Sequence, residues 1–279
     1  MNILYCGDRN IKKGLILSVL SLIKNVDEDL YIYILTINAK VNNKNIEGIR
    51  YEDIDGLLGV LKQKNPNNFI KIFDITQEFN KEIPFENMET RFTPCCMLRL
   101  YADTINELPN KILYLDNDVI CRKNPFEFYN QNLDDTELVG VLDYYGKWFF
   151  KNNLFKFDYL NSGVLLMNLD KIRKEQSFYK CRKLCQNTKM FMPDQSAINK
   201  IVKNKKIVDR KYNDQRKLHD DTVFQHFTTS FRFFPIFHPV TIKPWDTEKV
   251  HNELNIFEYD DIYERYQEII NKNMIGEYR

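Results

Sequence analysis

Residues 111–118 read Lys-Ile-Leu-Tyr-Leu-Asp-Asn-Asp, and this stretch indicates how the chain folds. Its apolar run over 111–115 shows no polar alternation, which is typical of a strand buried in a parallel sheet. Asp116 and Asp118 follow at once with one residue between them, so an extended backbone directs both carboxylates to the same side. In an open parallel sheet, ligands bind beyond the carboxyl ends of the strands. The stretch therefore predicts a polar site at the edge of an α/β sheet.

The residues before this stretch alternate between strand and helix patterns. Apolar runs at 3–6, 30–35 and 69–73 predict strands, and apolar residues at helical spacing lie between them. This alternation favours a parallel, doubly wound sheet. The second half is more mixed, and its predicted elements are strands 138–142, 163–167 and 223–227 and helices 171–185, 194–202 and 257–270.

The composition excludes some classes of protein. Acidic and basic residues nearly cancel to a formal net charge of +1, which argues against a dedicated nucleic-acid-binding protein. The sequence has no run of 18 or more apolar residues and no signal-peptide pattern at its start. We therefore expect a cytoplasmic protein that could associate with the inner face of the membrane through its aromatic segment 227–237 or its last helix. Packing of both segments against the core is the favoured interpretation, and the oligomeric state is not readable.

Asp116 and Asp118 could bind a divalent cation or belong to a polar turn. Two neighbouring carboxylates repel each other, which favours a shared proton or a bound cation. Oxygen ligands suit Mg²⁺ or Mn²⁺, and substrate phosphates commonly complete the shell of ligands. Asp and Asn are also common in turns. The residues alone leave both interpretations open, although the position after a buried strand favours the metal site.

Several other segments place polar groups at the ends of predicted elements. They are Cys6-Gly7-Asp8-Arg9-Asn10, Arg99 within Met97–Tyr101, Asn161-Ser162-Gly163, Asp194-Gln195, His226 and Lys243-Pro244-Trp245. Each could serve a purely structural purpose, such as a helix cap at Asp8 or Asp194. Their order and spacing along the chain carry more information than any one of them.

Together these segments resemble glycosyltransferase family 8, whose members include glycogenin and bacterial lipopolysaccharide galactosyl- and glucosyltransferases. The resemblance runs from Met1 to about His251 and so covers nearly the whole chain. It implies a GT-A fold, with a Rossmann-like, mostly parallel central sheet flanked by helices. We predict a single nucleotide-sugar-binding catalytic domain over residues 1–250 and a small C-terminal helical extension over 251–279.

The resemblance also implies a role for each segment. Two aspartates and a histidine hold Mn²⁺ in the family, which implies Asp116, Asp118 and His226 as metal ligands here. Gln195 would lie beside the anomeric carbon, with Asp194 lining the sugar and Asn161 at its hydroxyls. The predicted catalytic residues are Gln195, Asp194 and Asn161, and the predicted donor-binding residues are Cys6, Asp8, Asn10, Arg99, Asn117, Ser162 and Lys243.

One departure from the family pattern affects the third metal ligand. Many members have only a few residues between the histidine and the lysine, whereas here residues 227–242 intervene. His238 is therefore an alternative ligand, although His226 fits better because it ends an apolar strand. Arg91 is a weaker alternative to Arg99.

The implied reaction is transfer of a hexose, glucose or galactose, from a UDP-sugar with retention of configuration. The acceptor would be a glycan, glycolipid or glycoprotein, and the cation Mn²⁺, with Mg²⁺ as the alternative. No carboxylate nucleophile is evident, which favours same-face attack over double displacement. Two other functions stay open. A phosphatase of the haloacid dehalogenase type would need a second acidic pair such as 134–135 or 220–221, and a non-catalytic protein would only bind the sugar nucleotide.

Overall fold

The computed structural model describes residues 1–41, 44–90, 94–146, 158–232 and 238–276. Within these ranges a seven-stranded central sheet is accompanied by three two-stranded sheets. The strands are β1 (Asn2–Cys6), β2 (Tyr31–Thr36), β3 (Ala39–Val41), β4 (Lys44–Ile46), β5 (Phe69–Asp74), β6 (Lys111–Leu115), β7 (Val119–Cys121), β8 (Leu138–Leu142), β9 (Leu160–Asn168), β10 (Lys205–Ile207), β11 (Phe224–His226), β12 (Ser230–Arg232) and β13 (His238–Val240).

Helices connect these strands and cover both faces of the central sheet. The α-helices of the described ranges are α1 (Lys12–Asn25), α2 (Tyr51–Lys64), α3 (Thr76–Lys81), α4 (Phe126–Tyr129), α5 (Leu169–Glu175), α6 (Ser177–Asn187), α7 (Pro193–Ile201), α8 (Thr247–Leu254) and α9 (Asp260–Gly276). The 3₁₀ helices are Arg9–Ile11, Phe85–Asn87, Pro94–Thr104 and Arg210–Tyr212. None of the described helices is long and apolar enough to cross a bilayer.

The central sheet is mostly parallel, with strand order β10-β8-β9-β6-β1-β2-β5. The chain moves outward from β1 through β2 to β5 and then returns to the other side of β1 with β6. Such a reversal is where open α/β sheets bind ligands. Strand β9 runs antiparallel to both of its neighbours, β6 and β8. Its first residues therefore lie at the same edge as the carboxyl ends of β1, β6 and β8.

The central strands are buried on both faces, which explains their continuous apolar sequences. In β6, Leu113 and Leu115 pack into one core cluster, while Ile112 and Tyr114 pack into the cluster on the opposite face. The first cluster includes α1, α2 and α9, and the second includes α5, α6 and the 3₁₀ helix Pro94–Thr104.

The prediction of one helix over 171–185 is wrong. Two helices, Leu169–Glu175 and Ser177–Asn187, lie there, and Gln176 between them has a left-handed backbone with φ 55°. Neither Gly nor Pro marks this break in the sequence, so periodicity alone could not show it. The amide of Gln176 donates to the carbonyls of Arg173 and Ile172, which ends the first helix.

The small sheet of β7 and β11 lies beside the main sheet and matters for the site. Strand β7 begins directly after the Asp116–Asp118 turn and pairs antiparallel with β11. The predicted strand 223–227 is thus present as Phe224–His226, but it does not join the central sheet.

The C-terminal helix α9 packs against α1 and α2. Its residues Ile262 and Ile269 are buried in the same core cluster as α1. Tyr259, just before the helix, is buried as well, and its hydroxyl donates to Gln225. The end of the chain thus contributes to the core of the sheet-containing unit.

Candidate functional site

Polar side chains from several strand ends meet at one edge of the central sheet. Asp116 follows β6, Asp143 follows β8, and Asn161 lies at the start of the antiparallel strand β9. Strand β11 brings His226 to the same edge, because its pairing with β7 places His226 opposite Val119. Strand direction therefore assembles groups that are far apart in the sequence.

Asp116, Asp118 and His226 form a cluster whose ligand atoms all lie within 4.8 Å of one another. The Nε2 atom of His226 lies 3.3 Å from Oδ1 of Asp118 and 3.6 Å from Oδ2 of Asp116. Two carboxylates and one imidazole at such distances form a donor set that suits a divalent cation. The backbone of His238, the alternative ligand, lies in β13 opposite Arg232.

The other oxygen of each aspartate is held by a cation. Oδ1 of Asp116 accepts hydrogen bonds from Arg99 at 2.8 Å and from the Tyr114 hydroxyl at 2.6 Å. Oδ2 of Asp118 accepts from the Lys243 ammonium, which also donates to a backbone carbonyl. Burial would raise the pKa of Asp118, but Lys243 and His226 outweigh it and hold that pKa well below its usual range. Asp118 is therefore a carboxylate at neutral pH, as a metal ligand must be.

Gly163 lies directly beneath the cluster. A Cβ atom on Gly163 would lie 2.1 Å from Cε1 of His226 and 2.8 Å from Oδ2 of Asp116. Its carbonyl also accepts a hydrogen bond of 2.8 Å from the amide of Asp116. The absence of a side chain at this position thus lets the histidine and the aspartate converge.

Arg99 lies behind the aspartates and is buried, so it is not a surface residue of its helix. Its guanidinium contacts Asp116 and Asp194 and donates to the Ser162 carbonyl, and it lies 4.1 Å above the ring of Tyr114. Burial would lower the pKa of Arg99, but the nearby Asp116, Tyr114 and Asp194 outweigh burial and raise that pKa. The guanidinium therefore stays positively charged. Arg91 is outside the described residues.

The residues predicted to line the sugar form one buried hydrogen-bond network. Oε1 of Gln195 accepts from the amide and the hydroxyl of Ser162, and that hydroxyl also lies 3.1 Å from Asp194. The amide groups of Gln195 and Asn161 both donate to Oδ2 of Asp143, at 3.1 and 2.9 Å. The structure thus brings the four predicted residues together, and two of them, Gln195 and Asn161, contact the carboxylate of Asp143.

Sequence reasoning missed Asp143 as a member of this network. It directly follows the predicted strand 138–142, as Asp116 follows 111–115, so its position at a strand end was the available signal. No acidic neighbour marks it as a pair, and the resemblance did not single it out. Asn213, which contacts both Asn161 and His226, was missed too and carries no motif.

The turn after β1 is compact. Asp8 is buried, and its carboxylate accepts from the amide of Asn10 and from the side chain of Asn10. Cys6 is half-buried and Asn10 is exposed at this edge. The capping role of Asp8 is thus present in the structure, and its side chain caps the 3₁₀ helix Arg9–Ile11.

Helix α1 approaches the Asp116–Asp118 turn closely through Gly14. A Cβ atom on Gly14 would lie 2.4 Å from the Asn117 carbonyl oxygen and 2.7 Å from the ring of Trp245. Asn117 and Trp245 therefore both lie close to the first turn of α1.

A family model described as glycosyl transferase family 8 matches residues 2–249. The chain belongs to glycosyltransferase family 8. The residues that form the site described above all fall within the matched range. The resemblance inferred from the sequence motifs is thus confirmed.

Individual relatives agree with this membership. A protein of Haemophilus influenzae with a provisional glycosyltransferase name is 26% identical over 224 residues, covering 76% of this chain and 63% of that protein. The lipopolysaccharide 1,3-galactosyltransferase of Salmonella typhimurium is 24% identical over 161 residues, covering 52% of this chain and 47% of that protein. The matched region thus spans between about half and two thirds of these two relatives.

The fold is shared with solved glycosyltransferases. The galactosyltransferase LgtC, solved with donor and acceptor sugar analogues, superposes with a TM-score of 0.65 at 18% identity, covering 96% of each chain. The prediction of a GT-A fold with a mostly parallel central sheet is confirmed.

Proposed function

We propose that this family 8 glycosyltransferase transfers glucose or galactose from a UDP-sugar, with retention, to a hydroxyl of a glycan, glycolipid or glycoprotein. The observation that supports this most directly is the convergence of Asp116, Asp118 and His226 at the end of β6. The site lies where doubly wound sheets bind nucleotides. It also adjoins a buried polar network that can form hydrogen bonds with sugar hydroxyls.

Asp116, Asp118 and His226 would hold a divalent cation, with Mn²⁺ favoured over Mg²⁺ because one ligand is an imidazole nitrogen. The donor atoms fit such an ion, since one atom of each residue faces a common space that Gly163 leaves open. When bound, the ion would neutralise charge on the diphosphate leaving group.

Lys243 would contribute a second positive charge to the same leaving group. In the structure its ammonium neutralises Asp118. The side chain is 30% exposed, so it can turn from Asp118 to a diphosphate oxygen when a cation binds the carboxylate. A preorganised cation beside the developing charge lowers the barrier to departure of UDP.

The hydrogen bonds around Gln195 support same-face attack. A double displacement needs a free carboxylate nucleophile. Asp194 is paired with Arg99 and with the Ser162 hydroxyl, and Asp143 accepts from two side-chain amides. In the proposed step the bond from the anomeric carbon to the phosphate oxygen breaks and a bond to the acceptor oxygen forms. The acceptor proton passes to the released phosphate oxygen.

The phosphatase alternative gains no support from the remaining acidic pairs. Asp134 and Asp135 are exposed, and so are Asp220 and Asp221. Asp221 is paired with Arg210 rather than directed toward the strand-end site. No second acidic pair among these residues complements Asp116 and Asp118.

The proposal is tested by measuring UDP release from a set of UDP-sugars with Mn²⁺ and saccharide acceptors. Asp118→Asn should abolish Mn²⁺-dependent release, because it removes a ligand charge. Asp103→Asn is the matched control, since the side chains of Asp118 and Asp103 are 11% and 9% exposed and each pairs with a cation. It should lower stability but keep activity.

Wild-type activity in Asp118→Asn would refute the assignment of Asp118 as a ligand of the catalytic cation. Phosphate release from simple phosphomonoesters would instead support the phosphatase. Binding of UDP-sugar without turnover, across the acceptors tried, would support a non-catalytic sugar-nucleotide-binding protein.

A further inference from the structure

Asn213 lies between the metal-facing histidine and the sugar-facing network, and it is almost fully buried. Its Oδ1 atom lies 3.0 Å from Nδ1 of His226, and its Nδ2 atom lies 2.9 Å from Oδ1 of Asn161. We propose that Asn213 is a positioning residue that fixes the tautomer of His226 and joins it to Asn161. This inference rests on the proposed function of the site.

The direction of each of these hydrogen bonds follows from the groups that Asn161 contacts, Asp143 and the amide of Gly163. Asp143 carries a carboxylate, which accepts hydrogen bonds, so Asn161 must direct its NH₂ group toward it, at 2.9 Å. The amide of Gly163 can only donate, and it points at Oδ1 of Asn161 from 2.9 Å. Both contacts require the same orientation of the Asn161 side chain, with its carbonyl oxygen toward Asn213.

The orientation of Asn161 determines that of Asn213, and that of Asn213 determines the proton on His226. Because Oδ1 of Asn161 is an acceptor, Asn213 presents its NH₂ group to it and its own carbonyl oxygen to His226. Nδ1 of His226 must therefore carry the proton. When the ring is neutral, Nε2 is then left with a free lone pair, directed toward Asp116 and Asp118. This is the tautomer that a metal ligand needs.

The backbone holds Asn213 in this place. The amide of Asp214 donates to the Phe224 carbonyl, and the amide of His226 donates to the Asp214 carbonyl, at 2.8 and 2.9 Å. The segment that carries Asn213 is thus paired with β11, the strand that carries His226. Asn213 and His226 are 1% and 5% exposed, so water cannot replace the contact easily.

Removing the Asn213 carbonyl should change where the histidine proton resides. In Asn213→Leu, Nδ1 loses its hydrogen-bond acceptor. The neutral ring then becomes more stable with its proton on Nε2, which lies 3.3 Å from an Asp118 oxygen that can accept it. A protonated Nε2 cannot bind a cation. We expect Mn²⁺ affinity to fall by about 10- to 100-fold, as for other residues that orient a metal ligand.

Two measurements test the proposal. The tautomer is read from imidazole ¹⁵N shifts in metal-free protein at a pH where imidazole is neutral. The chain has only four histidines, and His226→Gln assigns the relevant signal. Mn²⁺ affinity is read from the electron paramagnetic resonance signal of the free ion. Because the tautomer is measured without metal or substrate, the result does not depend on whether the protein turns over a UDP-sugar.

Asn68→Leu is the matched control. Asn68 is also 1% exposed and makes two hydrogen bonds, to the amide of Leu30 and the carbonyl of Leu61, away from the site. It should leave the tautomer and the Mn²⁺ affinity unchanged, although it lowers stability. Asn213→Asp keeps an acceptor toward Nδ1 and should keep the proton there, which provides a second variant should Asn213→Leu not fold.

The proposal is overturned if His226 of the unmodified protein carries its proton on Nε2. It is also overturned if folded Asn213→Leu keeps both the Nδ1-protonated tautomer and the Mn²⁺ affinity of the unmodified protein.

Discussion

Asp116 and Asp118 each direct one oxygen toward His226 and the other toward a cation. The partner of Asp116 is Arg99, whose side chain is 4% exposed, and the partner of Asp118 is Lys243, whose side chain is 30% exposed. Arg99 is fixed by its other contacts and cannot leave, whereas Lys243 has room to move. The two cations therefore suit different tasks, one holding the site together and the other able to meet a ligand.

Gly163→Ala should disable the site without a change of charge. The new Cβ atom would lie 2.1 Å from a ring carbon of His226, a distance that the histidine can relieve only by moving away. We expect Mn²⁺ affinity and Mn²⁺-dependent UDP release to fall by about 10-fold or more. Titration with Mn²⁺ and the UDP-release assay check this.

Gly59→Ala is the control for this substitution. A Cβ atom on Gly59 would have no heavy atom within 4 Å, and the residue lies inside α2. Alanine should therefore stabilise the helix by about 0.5–1 kcal/mol and leave activity unchanged. Equal activities of Gly163→Ala and Gly59→Ala would contradict the crowding argument.

The break between α5 and α6 depends on one residue with a left-handed backbone, Gln176. Gln176 has φ 55°, and its side chain is exposed, so a glycine there loses no packing. Gln176→Gly should raise the free energy of unfolding by roughly 0.5–1 kcal/mol, because left-handed backbone is strained for a residue with a Cβ atom. Denaturant unfolding measures the change.

Asn255 has the same φ of 55° at the end of α8. Asparagine tolerates left-handed backbone better than most residues, so Asn255→Gly should gain less than Gln176→Gly. A loss of stability in Gln176→Gly would mean that the side chain contributes more than its exposure indicates.

A continuous apolar run predicted the strands that are buried on both faces most closely. Strand β6 was predicted at 111–115 with its observed bounds, because a continuous apolar run of five residues that ends in a polar turn fits a buried strand best. Strands β3 and β10 were not predicted, since each has only three residues and is partly exposed. Strand β10 pairs with the distant strand β8, so its pairing cannot be read from its own residues.

In the candidate site too, the local sequence predicted some residues and missed others. Asp116, Asp118 and Asn161 were predicted as site residues because they adjoin buried strands or known motifs. Asp143 was missed although it follows a predicted strand, and Asn213 was missed because its contacts with Asn161 and His226 depend on the tertiary fold rather than on a local motif. The roles assigned to single donor-binding residues stay predictions.

Helix α9 belongs to the same core as α1 and α2. Ile262 and Ile269 are buried there, so the predicted helical extension over 251–279 contributes side chains to that core. Ile269→Ala should lower the free energy of unfolding by about 2–4 kcal/mol, because it leaves a cavity in that core. Thermal unfolding should remain one transition and Mn²⁺ affinity should not change.

Gln267→Ala, on the exposed side of the same helix, should leave stability nearly unchanged. Two separate unfolding transitions, with only one of them sensitive to Ile269→Ala, would show instead that 251–279 is an independent extension.

The aspartates differ in how far along the chain their partners lie. Tyr114 and Arg99 are 2 and 17 residues from Asp116, whereas Lys243 reaches Asp118 across 125 residues. Closing a longer loop costs more chain entropy. On the ribosome, the Asp116 half can therefore gain its partners as the early strands emerge. The Asp118 half must wait until Lys243 has emerged, so a nascent chain that ends before this residue cannot hold a complete site.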